Sequence, residues 1–192
     1  MKLSNSLLTQ AVLEFTQTFI EQYQALHGQF PVTEPDEKWP SPCEITTNDE
    51  PEGAWRPFTI TDELSFENIE SALELELHQD IKTYFTTIYS DTIDATCHEG
   101  NLSLLFAWSA DDFKRLQENI IGHVMMKKKL KQSITVFFAV TDDEENILSI
   151  DNKSGEVWVE RVGCVPHKKI ANSLSEFFQS LTPNIAKFPV VN

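Results

Sequence analysis

The stretch ITVFFAVTDDEENILSIDNKSGEVWVERV, residues 134–162, decides the fold class. Ile134 to Val140 is a run of β-branched and aromatic residues of strand length. Thr141 to Asn146 is a polar turn, Ile147 to Ile150 is a second short apolar run, and Asn152-Lys153-Ser154-Gly155 is a tight turn. Val157 to Val162 closes the series, with Glu160 and Arg161 breaking its apolar pattern. Strands joined by connections this short can pair only as antiparallel neighbours, since a parallel crossover needs roughly a dozen residues or more.

Upstream of this meander, Leu102 to Trp108 reads as another strand. Ser109-Ala110-Asp111-Asp112 then sets an N-cap hydroxyl before two first-turn carboxylates, where the helix dipole favours negative charge. Phe113, Leu116, Ile120, Ile121 and Val124 form the apolar face of that helix, and Gly122 reads as a close-packing position. At the amino end, Leu8, Val12, Phe15, Phe19, Tyr23 and Leu26 recur at helical spacing, with Gly28 as the stop. Phe66 to Ser90 is helical in two pieces, the second carrying Ile81, Tyr84, Phe85 and Ile88. Glu70 and Glu74, one turn apart, are predicted to repel. Downstream, Asn172 or Ser173 caps a last helix containing Leu174, Phe177, Phe178 and Leu181, and Glu176 completes a capping box. The architecture is predicted to be α+β: N-terminal helices, a largely antiparallel sheet with an inserted helix, and a C-terminal helix packed on it. At 192 residues the chain is expected to form one domain, with a long loop at 31–57 and a tail at 187–192.

The 31–57 loop holds six of the nine prolines together with Trp39 and Trp55, whose rings are predicted to pin it to the body. Charge is concentrated around it. The whole chain carries 30 Asp and Glu against 15 Lys and Arg, a formal charge of −15. Between Glu34 and Asp80 there are 14 acidic residues and two basic ones, Lys38 and Arg56. A field of that sign repels phosphates, so nucleic acid is excluded as a partner. Met1 to Thr9 lacks a signal-peptide apolar region, no run reaches the ~20 residues a bilayer span needs, and the three scattered cysteines suit buried thiols in a reducing compartment. A cytosolic protein is expected.

Reactive chemistry is thin. The five histidines form no zinc spacing, so no metal or cofactor is expected. The turn Asp142-Asp143-Glu144-Glu145-Asn146-Ile147 lacks the glycine a calcium loop needs at its sixth position. Cys43 within Ser41-Pro42-Cys43 could act as a nucleophile only with a neighbour that lowers its pKa; a buried structural thiol is the simpler reading. Thiol hydrolase chemistry would also need a substrate that the sequence does not suggest. His123 reads as a cation near a helix C-terminus or as a hydrogen-bonded core residue, and Trp108 as a core aromatic. Lys127-Lys128-Lys129 with Lys131 is the one basic patch, a solvated helix end that could also touch anionic headgroups. The expected protein is not an enzyme but an acidic binder of something basic.

Longer strings of residues support a specific resemblance. They are Ser41-Pro42-Cys43, Trp55-x-Pro57-Phe58, Tyr84-Phe85-Thr86-Thr87, and above all Trp108-Ser109-x-Asp111-Asp112-Phe113-x-Arg115-x-Gln117-Glu118-Asn119-x-Ile121-Gly122-His123. Leu148-Ser149, Asn152-x-Ser154-Gly155-Glu156-Val157 and Leu174-x-Glu176-Phe177 extend the match toward the C-terminus. In these positions the chain resembles the bacterial Syd family of SecY-interacting proteins, within the wider SUKH-like superfamily. The Lys-rich segment from Met126 and the tail from Lys187 depart from it.

The resemblance implies a non-enzymatic protein with a concave acidic groove that docks on basic cytosolic loops of SecY, the export channel, and restrains or quality-controls improperly assembled SecY complexes. It places the protein in the cytoplasm, peripheral to the bacterial inner membrane, held there by its protein partner rather than by lipid insertion. Asp111, Asp112, Glu118 and Glu156 stand in the matching strings and are the expected partner-binding residues, although helix capping also accounts for the first two. The wider superfamily suggests a second class, an immunity-type inhibitor that masks a basic toxin.

Overall fold

The computed structural model describes residues 7–185, so the tail at 187–192 lies outside the described residues. The chain runs through α1 (Leu7–His27), β1 (Phe58–Thr59), α2 (Glu67–Leu73), α3 (Gln79–Phe85), β2 (Ile88–Tyr89), β3 (Ile93–Cys97) and β4 (Gly100–Leu104). It continues with α4 (Ala110–Lys129), β5 (Thr135–Thr141), β6 (Asn146–Asp151), β7 (Val157–Arg161), β8 (Lys168–Ala171), α5 (Leu174–Gln179) and β9 (Thr182–Pro183). The fold is α+β, as predicted.

Seven strands form an antiparallel sheet in the order β8-β7-β6-β5-β4-β3-β9, with the predicted β5–β6–β7 meander inside it. Alternation along β5 assigns its residues to two layers. Val136 and Phe138 are fully buried, and Phe138 packs edge-on against Phe177 of α5 and Tyr84 of α3. Phe15 of α1 meets Phe178 of α5 at 5.6 Å, which brings the N-terminal helix into the same layer. Rings buried this completely stabilise the fold by ~1.5–3 kcal/mol each. The alternate positions Thr135 and Phe137 face α4 on the other side of the sheet, where both meet His123. The sheet curls, because Glu99 in the β3–β4 turn pairs with Lys168 on β8, although four strands lie between β3 and β8.

Several expectations need correction. Ile88 belongs to a strand rather than a helix, since Thr86 already caps α3. Short strands β1, β2, β3, β8 and β9 were not predicted, because two to five residues carry too little periodicity to read. The strand expected over 102–108 covers only Gly100–Leu104. Leu26 is 65% exposed. Glu70 and Glu74 do not stack along a helix: Glu74 takes the left-handed C-cap conformation (φ 49°), while Glu70 accepts the Leu77 N–H and the Lys82 ammonium. Burial pushes the Glu70 carboxyl upward, but those two partners outweigh it and hold its pKa below the ordinary value. A Cβ on Gly122 would meet nothing within 4 Å, so this glycine is not a close-packing site. Of the cysteines only Cys43 is buried; Cys97 is half-buried and Cys164 exposed.

The largest correction concerns the basic patch. Lys127 is fully buried, ion-paired at 3.1 Å with the equally buried Glu160 of β7, and it also donates to the Cys164 carbonyl at 2.8 Å. Glu160 further accepts from the Thr135 hydroxyl. His123 is therefore the hydrogen-bonded core residue rather than the exposed helix-end cation. Its pKa is lowered to about 4, by burial first and then by the Lys127 charge.

Candidate functional site

The 31–57 loop is an ordered structure built on backbone bonds. Thr33 N–H donates to Gly53 O, Trp55 N–H to Pro31 O, Ile45 N–H to Ala54 O and Arg56 N–H to Cys43 O. Both outer arms of the loop thus pair with the returning segment 53–56. Gly53 makes the return possible, with φ +79° and the Thr33 carbonyl 2.1 Å from where a Cβ would sit. Trp55 is 1% exposed and stacks on Phe19 of α1, so it pins the loop as predicted. Trp39 does not: it stays 37% exposed.

Folded this way, the loop converges its carboxylates. A hollow of about 500 Å³ is lined by Asp36, Glu37, Glu44, Glu50 and Glu52, with Pro35, Pro40, Ile45, Pro51 and Ala54 as apolar surface and no Lys, Arg or His. A niche of about 220 Å³ adjoins it through shared Asp36 and Glu44, adding Glu34, Asp91 and the rings of Trp39 and Trp108. Seven carboxylates thus face one continuous depression. The Arg115 guanidinium sits 4.8 Å from the Trp39 ring centroid, a cation–π contact the fold makes with its own side chain.

Other hollows differ in charge. The largest, about 840 Å³ along α1, has one carboxylate and one guanidinium, Glu14 and Arg56. The concave side of the curled sheet encloses about 470 Å³, where Glu99, Asp142 and Asp143 share the lining with Lys168 and His167. The uniformly acidic depression is the loop's.

The predicted binding residues fall in two places. Asp111 and Asp112 sit in the first turn of α4 beside the niche. Asp112 accepts the Trp108 N–H at 2.9 Å, Trp108 Nε1 donates to the Trp39 carbonyl at 3.2 Å, and Asp111 pairs with Lys114. The capping role is real as well, since Ser109 Oγ accepts the Asp112 N–H. Glu118 is exposed on the same helix, seven residues beyond Asp111 and so on nearly the same face. Glu156 stands apart in the β6–β7 turn. Its carboxylate is held by Lys169 at 2.8 Å, the first cause of its lowered pKa.

The loop carboxylates themselves were not singled out in the sequence. The 14-to-2 imbalance was their signal, but only the ladder to 53–56 determines which of them share a surface. Trp108 is a wall of the niche, half-buried and edge-on to Trp55 at 6.2 Å, rather than a sealed core ring.

Cys43 is buried behind this depression, and its thiol is pushed up to about 12, by burial first, with the Asp91 and Glu44 charges adding to it. No thiolate forms there at neutral pH. Among the described residues no group of three or more His, Cys, Asp or Glu could hold a metal ion, and no helix is long and apolar enough to cross a membrane.

Known proteins match this chain nearly end to end. A family model described as "Syd protein (SUKH-2)" covers residues 9–183. The chain belongs to the Syd family. It is 54% identical over 191 residues to Protein Syd of Colwellia psychrerythraea, covering 95% of this chain and 96% of that protein. It is 47% identical over 149 residues to Protein Syd of Alteromonas mediterranea, covering 77% and 82%. The counterpart in Pseudoalteromonas atlantica is 36% identical over 182 residues, covering 92% and 98%. For a Syd-family chain, the matching strings around Ser41 and Trp108 meet in space at this niche, where the Ser41 hydroxyl donates to the Trp108 carbonyl.

Proposed function

We propose that this protein is a non-enzymatic regulator that docks on basic cytosolic loops of the SecY channel through the acidic hollow of its 31–57 loop, and that docking restrains or quality-controls improperly assembled SecY complexes. One observation carries the reading: seven carboxylates and no basic side chain line a depression with an apolar floor. A loop rich in Lys and Arg, as cytoplasmic segments of membrane proteins are, complements that surface. A lysine or arginine side chain reaching the niche meets Trp39 and Trp108 together with Glu34 and Asp91, and gains cation–π attraction of about 0.5–2 kcal/mol. Asp111, Asp112 and Glu118 extend the negative face along α4. Glu156, apart from this depression in the β6–β7 turn, is a further contact whose charge Lys169 reduces. Peripheral attachment on the cytoplasmic side of the inner membrane then follows from the partner protein.

Immobilised peptides from the cytosolic SecY loops test this reading. The full chain is expected to bind at low ionic strength and to be released as salt rises, because the Debye length shrinks to about 8 Å at physiological salt. No capture, or capture indifferent to salt, rejects the reading.

A further inference from the structure

The far end of α4 carries charge of the opposite sign. Residues 126–132 and 161–169 contain seven of the chain's 15 Lys and Arg and no Asp or Glu. These segments touch: Lys127 Nζ donates to the Cys164 carbonyl at 2.8 Å and Gln132 Nε2 to the Gly163 carbonyl at 3.0 Å. Lys127 is committed to Glu160, and Arg161, Lys168 and Lys169 pair with Glu145, Glu99 and Glu156. Lys128, Lys129 and Lys131 form no ion pair among the described residues; the Lys128 ammonium donates to the Leu73 carbonyl. Beside them stand three exposed aliphatic side chains, Leu130 (47%), Val162 (56%) and Val165 (58%).

We propose that this face is a peripheral docking surface for an anionic lipid bilayer. Lysines next to short exposed aliphatic side chains suit a headgroup boundary, where each basic residue contributes about 1 kcal/mol, a factor of about five in partition, and apolar groups gain by partial burial. The seven carboxylates of the acidic depression do not cancel the attraction. The acidic depression adjoins the other end of α4, a helix of 20 residues and so about 30 Å long, several Debye lengths away at physiological salt. That spacing also lets one end of the molecule meet a channel loop while the other reaches lipid beyond it. The proposal stands without the channel reading, because it uses neither the loop hollow nor its carboxylates.

Vesicle sedimentation of the purified full chain decides the matter. Wild type is expected to sediment with phosphatidylglycerol-rich vesicles and to stay in solution with phosphatidylcholine vesicles. Lys129→Gln with Lys131→Gln is expected to lower the partition about 25-fold, at about fivefold per lysine. Val162→Ser with Val165→Ser is expected to weaken it several-fold, while circular dichroism shows an unchanged fold. Absence of binding to the anionic vesicles, equal binding to both lipids, or full binding by either double variant overturns the proposal. So does concentration-dependent self-association in sedimentation velocity that the valine variant abolishes, which would assign this face to a second copy of the chain.

Discussion

Lys127 of α4 and Glu160 of β7 meet at 3.1 Å with no side-chain surface exposed on either residue. The pair fastens the inserted helix to the sheet at β7, one strand in from its edge, and Thr135, His123 and the Cys164 carbonyl complete its polar shell. Removing one member leaves a buried charge without its partner.

Lys127→Met is therefore expected to destabilise the protein by about 3–5 kcal/mol, and Lys127→Met with Glu160→Leu by less than the two single changes together. Urea denaturation of the three variants measures this. Simple additivity would mean that the pair is not coupled.

Acidification acts through His123. Its pKa is near 6.5 in the unfolded chain and about 4 in the fold, so the fold favours the neutral ring. Stability from this group is complete above about pH 6.5 and falls as the pH drops toward 4, at about 1.4 kcal/mol per pH unit and about 3 kcal/mol in total. His123→Gln is expected to lose that portion of the acid sensitivity when its denaturation midpoints are compared with those of wild type across this range. Parallel pH profiles would refute the assignment.

Gly53→Ala tests how far the acidic hollow depends on its backbone. The new Cβ would have to adopt φ +79° and would lie 2.1 Å from the Thr33 carbonyl oxygen. A loss of at least about 1–2 kcal/mol is expected, together with faster amide exchange at Thr33, whose N–H donates to Gly53 O. A variant as stable as wild type, with Thr33 equally protected, would show that the loop tolerates a different return.

Glu37 and Glu52 are exposed and line the hollow. Replacing both with lysine is expected to slow association with basic channel-loop peptides about tenfold at low salt, with the difference shrinking as salt is added. Stability should stay within about 0.5 kcal/mol of wild type. They are better probes than Asp112, whose carboxylate holds the Trp108 N–H, so that its replacement would disturb the niche itself. Unchanged association kinetics would remove the hollow from the interface.

Helix caps and the meander were legible because their signals are local. Ser109 and Ser173 cap α4 and α5 as their spacing predicts, and Gly28 follows α1 in the left-handed conformation its role as stop requires. Lys127 was not legible. A lysine among lysines at a helix end reads as solvated, and only the sheet packed beneath α4 brings Glu160 to it. The loop was half legible: its prolines, tryptophans and acidic excess marked it as ordered and charged, but not which carboxylates would converge.

The sequence by itself determined the α+β class, the antiparallel meander, the helix caps and the negative sign of the surface, since each depends on residues within a few positions of one another or on a sum over the chain. Tertiary structure alone decided that Glu34, Glu44 and Asp91 border one niche, that Lys127 is spent inside the core, and that the remaining helix-end lysines stand beside Val162 and Val165. Those relations join residues tens of positions apart, and chain closure in three dimensions, rather than local preference, fixes their distances.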